Sequence, residues 1–232
     1  MTGGWHPPAA PSKPISSDPL SSDLPYDAVA ASRQLAAIDP RLGDVIARVG
    51  PPTLTLRPDE TVPALLRSIV YQQLSTKAAA TIHGRVLDAV GTDGALDVTK
   101  VEAATDDDLR ACGLSRAKVA AVRDLVARQR AGALPDRAAL GAMPDAAVVE
   151  ALTAVRGVGV WTARMVLIFN LGRPDVWPTG DLGVREGYRI IHGLDARPTP
   201  TELAALGEPY APWRSVAAWY GWRAVHAARG EE

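Results

Sequence analysis

Residues 155–163 read V-R-G-V-G-V-W-T-A, a Gly-x-Gly turn held between two helical patterns. Before the turn, Pro144 and Asp145 are placed as helix starters, and Val148, Leu152 and Val155 recur at spacings of four and three, which predicts a helix running into it. After it, Trp161 to Asn170 is a second apolar stretch, with Met165, Ile168 and Phe169 available for a buried face, until Gly172 and Pro174 stop it. Glycine has no Cβ and tolerates positive φ, so such a turn lets the backbone approach a phosphate closely, and the helix that follows starts with N–H groups aimed at an anion. A Gly pair that merely closes one helix and opens the next has the same look. Downstream, the loop W-P-T-G-D-L-G places a lone carboxylate, Asp181, in front of a new helical pattern.

The rest of the chain predicts an all-α protein. Of 232 residues, 47% are hydrophobic, Ala is abundant and β-branched alternation is scarce. Residues 1–25 are rich in Pro and Ser and read as a flexible extension. From Pro25 to Val49, two helices broken at Asp39-Pro40 would turn Val29, Leu35 and Ile38, then Leu42, Val45, Ile46 and Val49, inward. Thr61 and Pro63 open the next helix, and Ser75 caps its successor, with Ile82, Val86 and Leu87 inward. Further helices are expected over Asp106–Ala111, Arg116–Arg130, the hairpin pair, Leu182–His192, Thr201–Leu206 and Pro212–Ala228.

Four stretches together carry a family resemblance. They are S-I-V-Y-Q-Q-L-S-T-K-A-A-A-T-I from Ser68, G-L-S-R-A-K-V from Gly113, the hairpin with its following aspartate, and P-W-R-S-V-A-A-W-Y-G-W from Pro212. In order and spacing, over roughly residues 60 to 225, the chain resembles the helix-hairpin-helix DNA glycosylases, in particular the alkylbase branch that includes 3-methyladenine DNA glycosylase II. The resemblance implies two helical subdomains, about 26–60 with 175–232 and about 61–174, flanking a DNA-binding cleft. The N-terminal mixed α/β domain of some relatives is expected to have no counterpart, because too little sequence precedes the first matching block. Cys112 is the only cysteine, so the chain cannot form the four-cysteine iron–sulfur cluster of endonuclease III-like relatives, and Cys112 reads as a small buried hydrophobe.

What the resemblance implies chemically is removal of an alkylated purine from double-stranded DNA. The base must leave the stack, and something must fill the hole. By position the Gln72, Gln73, Leu74 and Ser75 loop is the wedge, with Gln73 at its tip; these glutamines could equally satisfy backbone groups at a helix break. Cleavage at C1′ develops oxocarbenium character that a carboxylate stabilises. Asp181 matches the family's catalytic aspartate, against the alternative of a plain N-cap. N-alkylation at adenine N3 or guanine N7 makes the base cationic, so its departure does not depend on a general acid, while indole faces favour an electron-poor ring. Trp161 and Trp222 fall at the branch's pocket tryptophans, with Tyr71 and Met165 as further wall and core packing as the alternative for each. Trp177, Trp213 and Trp219 read as structural. Gly157, Gly159 and Thr162 of the hairpin and Arg214 would contact DNA, although a structural ion pair explains Arg214 equally well. Lyase-active relatives place a Lys at position 161; Trp there implies an enzyme that leaves an abasic site without nicking the strand.

Net charge argues against a nucleic-acid partner, since the formal value is −1 and a general DNA coater is strongly basic. The run Arg110, Arg116, Lys118, Arg123, Arg128 and Arg130, against Asp124 alone, could still make one local surface positive. His6, His83, His192 and His226 lack ligand spacing, so no cofactor is required; hairpin carbonyls of Val155, Gly157 and Val158 could hold K⁺ or Na⁺, as in the family. No membrane span or signal pattern is visible. The expectation is a cytoplasmic monomer, nucleoid-associated in a bacterium. The alternative from a different class is a non-catalytic helix-hairpin-helix module that binds bent or damaged DNA, in which Asp181 would have no use.

Overall fold

The computed structural model describes residues 23–57 and 59–230, so the expected extension lies, up to residue 22, outside the described residues. Among the described residues the chain forms thirteen α-helices, one short 3-10 turn and a single two-stranded hairpin. Contacts divide it into two compact units, residues 23–57 with 167–230, and 59–166. The second division falls inside the helix after the Gly-x-Gly turn, not in the loop that follows it.

The first unit contains α1 (Ala28–Ile38), α2 (Pro40–Val49), α11 (Leu182–His192), α12 (Pro200–Leu206) and α13 (Arg214–Ala228). Asp27 caps α1 by accepting from the Val29 and Ala30 N–H groups, and Asp39 caps α2, with Pro40 at its first position. The expected inward face of α1 holds at Leu35, which is buried, and is corrected at Val29 and Ile38, which are 36% and 41% exposed while Ala31 and Ser32 are buried. Ala31, Ser32 and Leu35 sit at helical spacing, and the Ser32 hydroxyl donates to the Val29 carbonyl at 2.8 Å, so the polar side chain is satisfied where a larger apolar one was expected. Leu24 packs on the core and Pro25 lies against Gly172.

Helices α11 and α13 meet at Gly187. A Cβ there would lie 2.1 Å from the Gly221 carbonyl oxygen, so the two backbones approach as closely as only glycine permits. Around this crossing Leu35, Leu42, Trp177, Val184, Trp213, Val216 and Tyr220 form the core. The two most deeply placed indoles also have acceptors, Trp177 on the Leu203 carbonyl and Trp213 on Gln34 Oε1.

A polar knot holds α2 to α11 in this unit. Asp39 Oδ2 accepts from the Tyr210 hydroxyl and lies 2.8 Å from His192 Nε2, and the His192 ring stacks on Tyr188. Burial pushes the Asp39 carboxyl up, but the bonds from Tyr210, His192 and the Leu42 N–H outweigh it and hold the group below the ordinary carboxylate value. A carboxyl lowered on folding adds stability above its unfolded pKa and loses it as pH falls through the folded one. Urea midpoints should therefore drop below about pH 4, and Asp39→Asn should flatten this acid limb while lowering stability at neutral pH.

The second unit contains α3 (Thr61–Tyr71), α4 (Thr76–Val90), strands β1 (Gly91–Thr92) and β2 (Ala95–Leu96), α5 (Val98–Ala103), α6 (Asp106–Ala111), α7 (Arg116–Arg130), α8 (Arg137–Ala142), α9 (Asp145–Thr153) and the start of α10 (Val160–Phe169). Thr105 and Asp108 cap α6 reciprocally, and Ser115 caps α7. Val148, Leu152 and Val155 are buried as one face, and so is Cys112. The expected positive surface is corrected. Arg110 pairs with Asp107, Arg123 with Asp106, Arg128 with Asp124 and Arg130 with Glu102. Arg123 also donates to the Val101 and Ala104 carbonyls. The neutralising acids come largely from α5 and α6 and precede Arg110, the first residue of the basic run. Among the described residues no helix is long and apolar enough to cross a membrane, and no group of metal-ligating side chains is assembled.

Candidate functional site

Asp181 sits on the first unit at the head of α11, where the Trp177 to Gly180 loop turns into the helix. Its N–H donates to the Pro178 carbonyl at 2.8 Å. It is 8% exposed, and its Oδ1 accepts two hydrogen bonds, from the Val184 N–H at 2.8 Å and from the Trp222 indole Nε1 at 3.0 Å. The cap and the oriented carboxylate are therefore one arrangement, and the two donors fix the rotation of the carboxyl plane.

Trp222 reaches that oxygen because residue 183 is glycine. A Cβ on Gly183 would stand 2.8 Å from Trp222 Cδ1, closer than such atoms pack, and a tight 3.1 Å from Asp181 Oδ1. Phe169 stacks on the same indole, with centroids 5.8 Å apart, and the Arg57 guanidinium lies 5.2 Å from the Phe169 ring centre. Sequence reasoning placed Trp222 as a pocket wall and missed its donor role, together with Gly183, Gly187 and Phe169 as its supports. The one available signal was Gly183-x-x-x-Gly187, a spacing that puts two glycines on one helix face.

Arg214 forks onto Asp175 at 2.6 and 2.8 Å and lies 3.7 Å from Glu208. That bidentate geometry is the structural ion pair that stood as the alternative to a DNA contact, with Nε and Nη2 both directed at Asp175.

The second unit brings the other residues together. In the turn, Gly157 has φ +79°, and its missing Cβ would stand 3.1 Å from Ala121 Cβ, so this position requires glycine. Gly159 does not share that reason: its φ is not positive and a Cβ there would meet nothing within 4 Å. What it leaves is open space at the start of α10, whose Ala163 N–H donates to the Gly159 carbonyl at 3.0 Å. Val160 and Trp161 are each 49% exposed, Met165 is half-buried, and Thr162 is buried. The Thr162 hydroxyl is thus unsuited to an outside contact, which leaves its backbone N–H in the first turn of α10 as the group with that capacity.

The Q-Q-L segment follows α3. Gln73 adopts φ +58° at an exposed tip, Leu74 is 40% exposed, and Ser75 Oγ accepts the Ala78 N–H to cap α4. Gln72 Nε2 donates to the Gly157 carbonyl at 2.9 Å, joining this segment to the turn. Tyr71 is half-buried, with the Arg67 guanidinium 4.4 Å from its ring centre and His83 at its edge. Burial and the Arg67 charge hold the His83 ring below the ordinary imidazole value.

Residues 66–212 match the HhH-GPD superfamily of base excision DNA repair proteins. The chain is similar to DNA-3-methyladenine glycosylase 1 of Schizosaccharomyces pombe, with 32% identity over 83% of this chain and 86% of that one. Among solved structures it is similar to the S. pombe 3-methyladenine DNA glycosylase in complex with abasic DNA, with TM-score 0.75 and 31% identity over 84% of this chain and 95% of that one. A DNA-3-methyladenine glycosidase from Bacillus halodurans gives TM-score 0.76 and 35% identity, over 87% and 91% of the two chains. The match runs through the loop after α3, the Gly-x-Gly turn, Asp181 and the approach to α13, so the chain belongs to the HhH-GPD superfamily of base excision DNA repair proteins.

Proposed function

We infer that the protein is a DNA glycosylase of base excision repair, and that it excises alkylated purines such as 3-methyladenine and 7-methylguanine from double-stranded DNA. The observation that carries this is Asp181, a buried carboxylate turned by the Val184 and Trp222 N–H groups at the head of the helix that follows the hairpin. A DNA-binding module gains nothing from orienting a buried carboxylate, whereas glycosidic bond cleavage needs negative charge beside C1′ as the sugar becomes cationic. A base already made cationic by alkylation departs without a general acid, so one carboxylate suffices. Half-exposed Trp161 then supplies a ring face for the flipped base, while Phe169 already covers one face of Trp222. With Trp at position 161 and no amine in its place, the product is an intact strand bearing an abasic site.

DNA would be gripped by the N–H groups at the start of α10 and probed by Gln73 and Leu74. The hairpin carbonyls also suit a monovalent cation. Val155 and Gly157 oxygens are neutral, hard donors, and each accepts one hydrogen bond, from Val158 N–H and Gln72 Nε2 respectively, so a second lone pair remains for the ion. Such an ion would add positive charge beside a phosphate. The protein is expected to work as a monomer.

Single-turnover incubation with methylated duplex DNA tests the whole reading. Free 3-methyladenine and 7-methylguanine should appear chromatographically, strand breaks should require subsequent heat or alkali, and borohydride should trap no protein–DNA adduct. Tight binding to the duplex with release of neither base would favour the non-catalytic module instead.

A further inference from the structure

Helix α7 turns one stripe of its surface toward two loops that are far apart in sequence. Lys118, Ala121 and Asp124 follow at intervals of three, so they lie along one side of the helix. Lys118 Nζ donates to the Val70 carbonyl at 2.7 Å, in the last turn of α3, and to the Gln72 carbonyl at 2.8 Å, just beyond it. Ala121 supplies the methyl group under Gly157. Asp124 Oδ2 accepts the Arg156 N–H at 2.8 Å and the Arg128 Nε at 2.8 Å. Gln72 closes the loop of contacts through its bond to the Gly157 carbonyl.

We propose that this side of α7 fixes the 72–75 loop and the 155–159 turn as one rigid element, with Lys118 as a positioning residue for base extrusion. The proposal rests on the glycosylase reading above and assigns to Lys118 a task in it. An ammonium at a helix C-terminus meets carbonyls that have no intrahelical donor, and charge-assisted bonds of this kind are about twice as strong as neutral ones. Burial pushes the Lys118 amine below its ordinary value, and the Val70 and Gln72 carbonyls are the acceptors it meets there. The bond to the Gln72 carbonyl lies one residue before Gln73, whose left-handed conformation persists only where its surroundings impose it. On the other side, the Arg156 N–H is held by a carboxylate that burial pushes up but the Arg156 and Arg128 donors pull below its usual range. A turn that seats on a phosphate is thereby tied to the loop that enters the stack, so gripping the backbone sets the depth and direction of the wedge.

The test compares Lys118→Met, Lys118→Arg and Gln72→Glu with the native chain in single-turnover release of 7-methylguanine. Two duplexes are used, one with the lesion paired to cytosine and one with the same lesion in a single-nucleotide bulge. Misplacing a catalytic element by about 1 Å can cost up to about 10²-fold. Lys118→Met should accordingly lose about tenfold or more on the paired lesion and less than about threefold on the bulged one, which needs little extrusion; Lys118→Arg should recover most of the loss. Gln72→Glu removes the donor to Gly157 from a surface loop and should show the same split, even if Lys118→Met folds poorly. Equal losses on both duplexes, or full activity of Lys118→Met on the paired one, would overturn the proposal. Failure of the native chain to release the base from either duplex would instead overturn the glycosylase reading, and it is visible without any variant.

Discussion

Asp181→Asn should reduce base release by about 10²- to 10³-fold, the scale of removing one preorganised electrostatic group from a reacting centre, while melting temperature and affinity for abasic duplex stay nearly unchanged. Asparagine keeps an oxygen at the Oδ1 position, where it can still accept from the Val184 N–H and the Trp222 indole. As an N-cap it is about as good as aspartate. The substitution therefore removes the negative charge and little else. Asp181→Ala would be a poorer experiment, because it also removes the cap, at about 1 kcal/mol, and leaves the indole N–H without this acceptor. If Asp181→Asn releases base at the native rate, the carboxylate is only a cap and the catalytic assignment fails. If it loses DNA binding as well, the effect is on architecture and the charge argument is unsupported.

That prediction depends on how the carboxylate is held, and only part of that was legible in the sequence. A residue able to cap a helix, in a Pro- and Gly-bearing loop after a hairpin, announces itself locally, and Leu182–His192 forms as expected. The partner that turns the carboxyl, Trp222, is 41 positions away, and nothing in the spacing of a single tryptophan reveals which atom of its ring points where. The same division runs through the fold. Helices α6, α7 and α11 have the expected bounds because Thr105, Ser115 and Asp181 are strong start signals. Helices α5 and α8 are as short as α6, six residues each, and start after Asp97 and Asp136 without the reciprocal Thr105–Asp108 cap that marks α6, and the hairpin at Asp93-Gly94, a favourable turn pair, is flanked by two-residue strands. On α1 Leu35 is buried as the apolar pattern suggests, but Ala31 and a self-satisfied Ser32 take the places expected of Val29 and Ile38 and allow closer approach. The basic run misled for a different reason: charge counted within one segment ignores acids delivered by its neighbours.

The largest effect on stability is expected from Gly187→Ala, a change that helix propensity alone would rate as favourable. Replacing a mid-helix glycine by alanine gains about 1 kcal/mol from reduced backbone freedom in the unfolded chain. At position 187 the new methyl would stand 2.1 Å from the Gly221 carbonyl oxygen and 2.5 Å from its carbon. Those atoms are backbone of α13, so no side-chain rotation relieves the contact, and α11 must move as a body away from α13. Overpacking of a well-fitted core costs typically 1–3 kcal/mol and more where rigid elements must shift, so the net loss should be about 2 kcal/mol or more, equivalent to a fall in Tm of roughly 4 °C or more for a chain of this size. Activity should fall further than stability accounts for, because α11 carries Asp181 at its head and α13 carries Trp222, and separating the helices breaks the bond between them. Gly84→Ala is the matched control: it too lies inside a helix, α4, but its Cβ would meet nothing within 4 Å, so it should leave activity intact and raise stability by about 0.5–1 kcal/mol. Calorimetry and base release measured on both variants separate the two glycines. Equal stabilisation by both would mean that the close crossing of α11 and α13 does not set the geometry around Asp181.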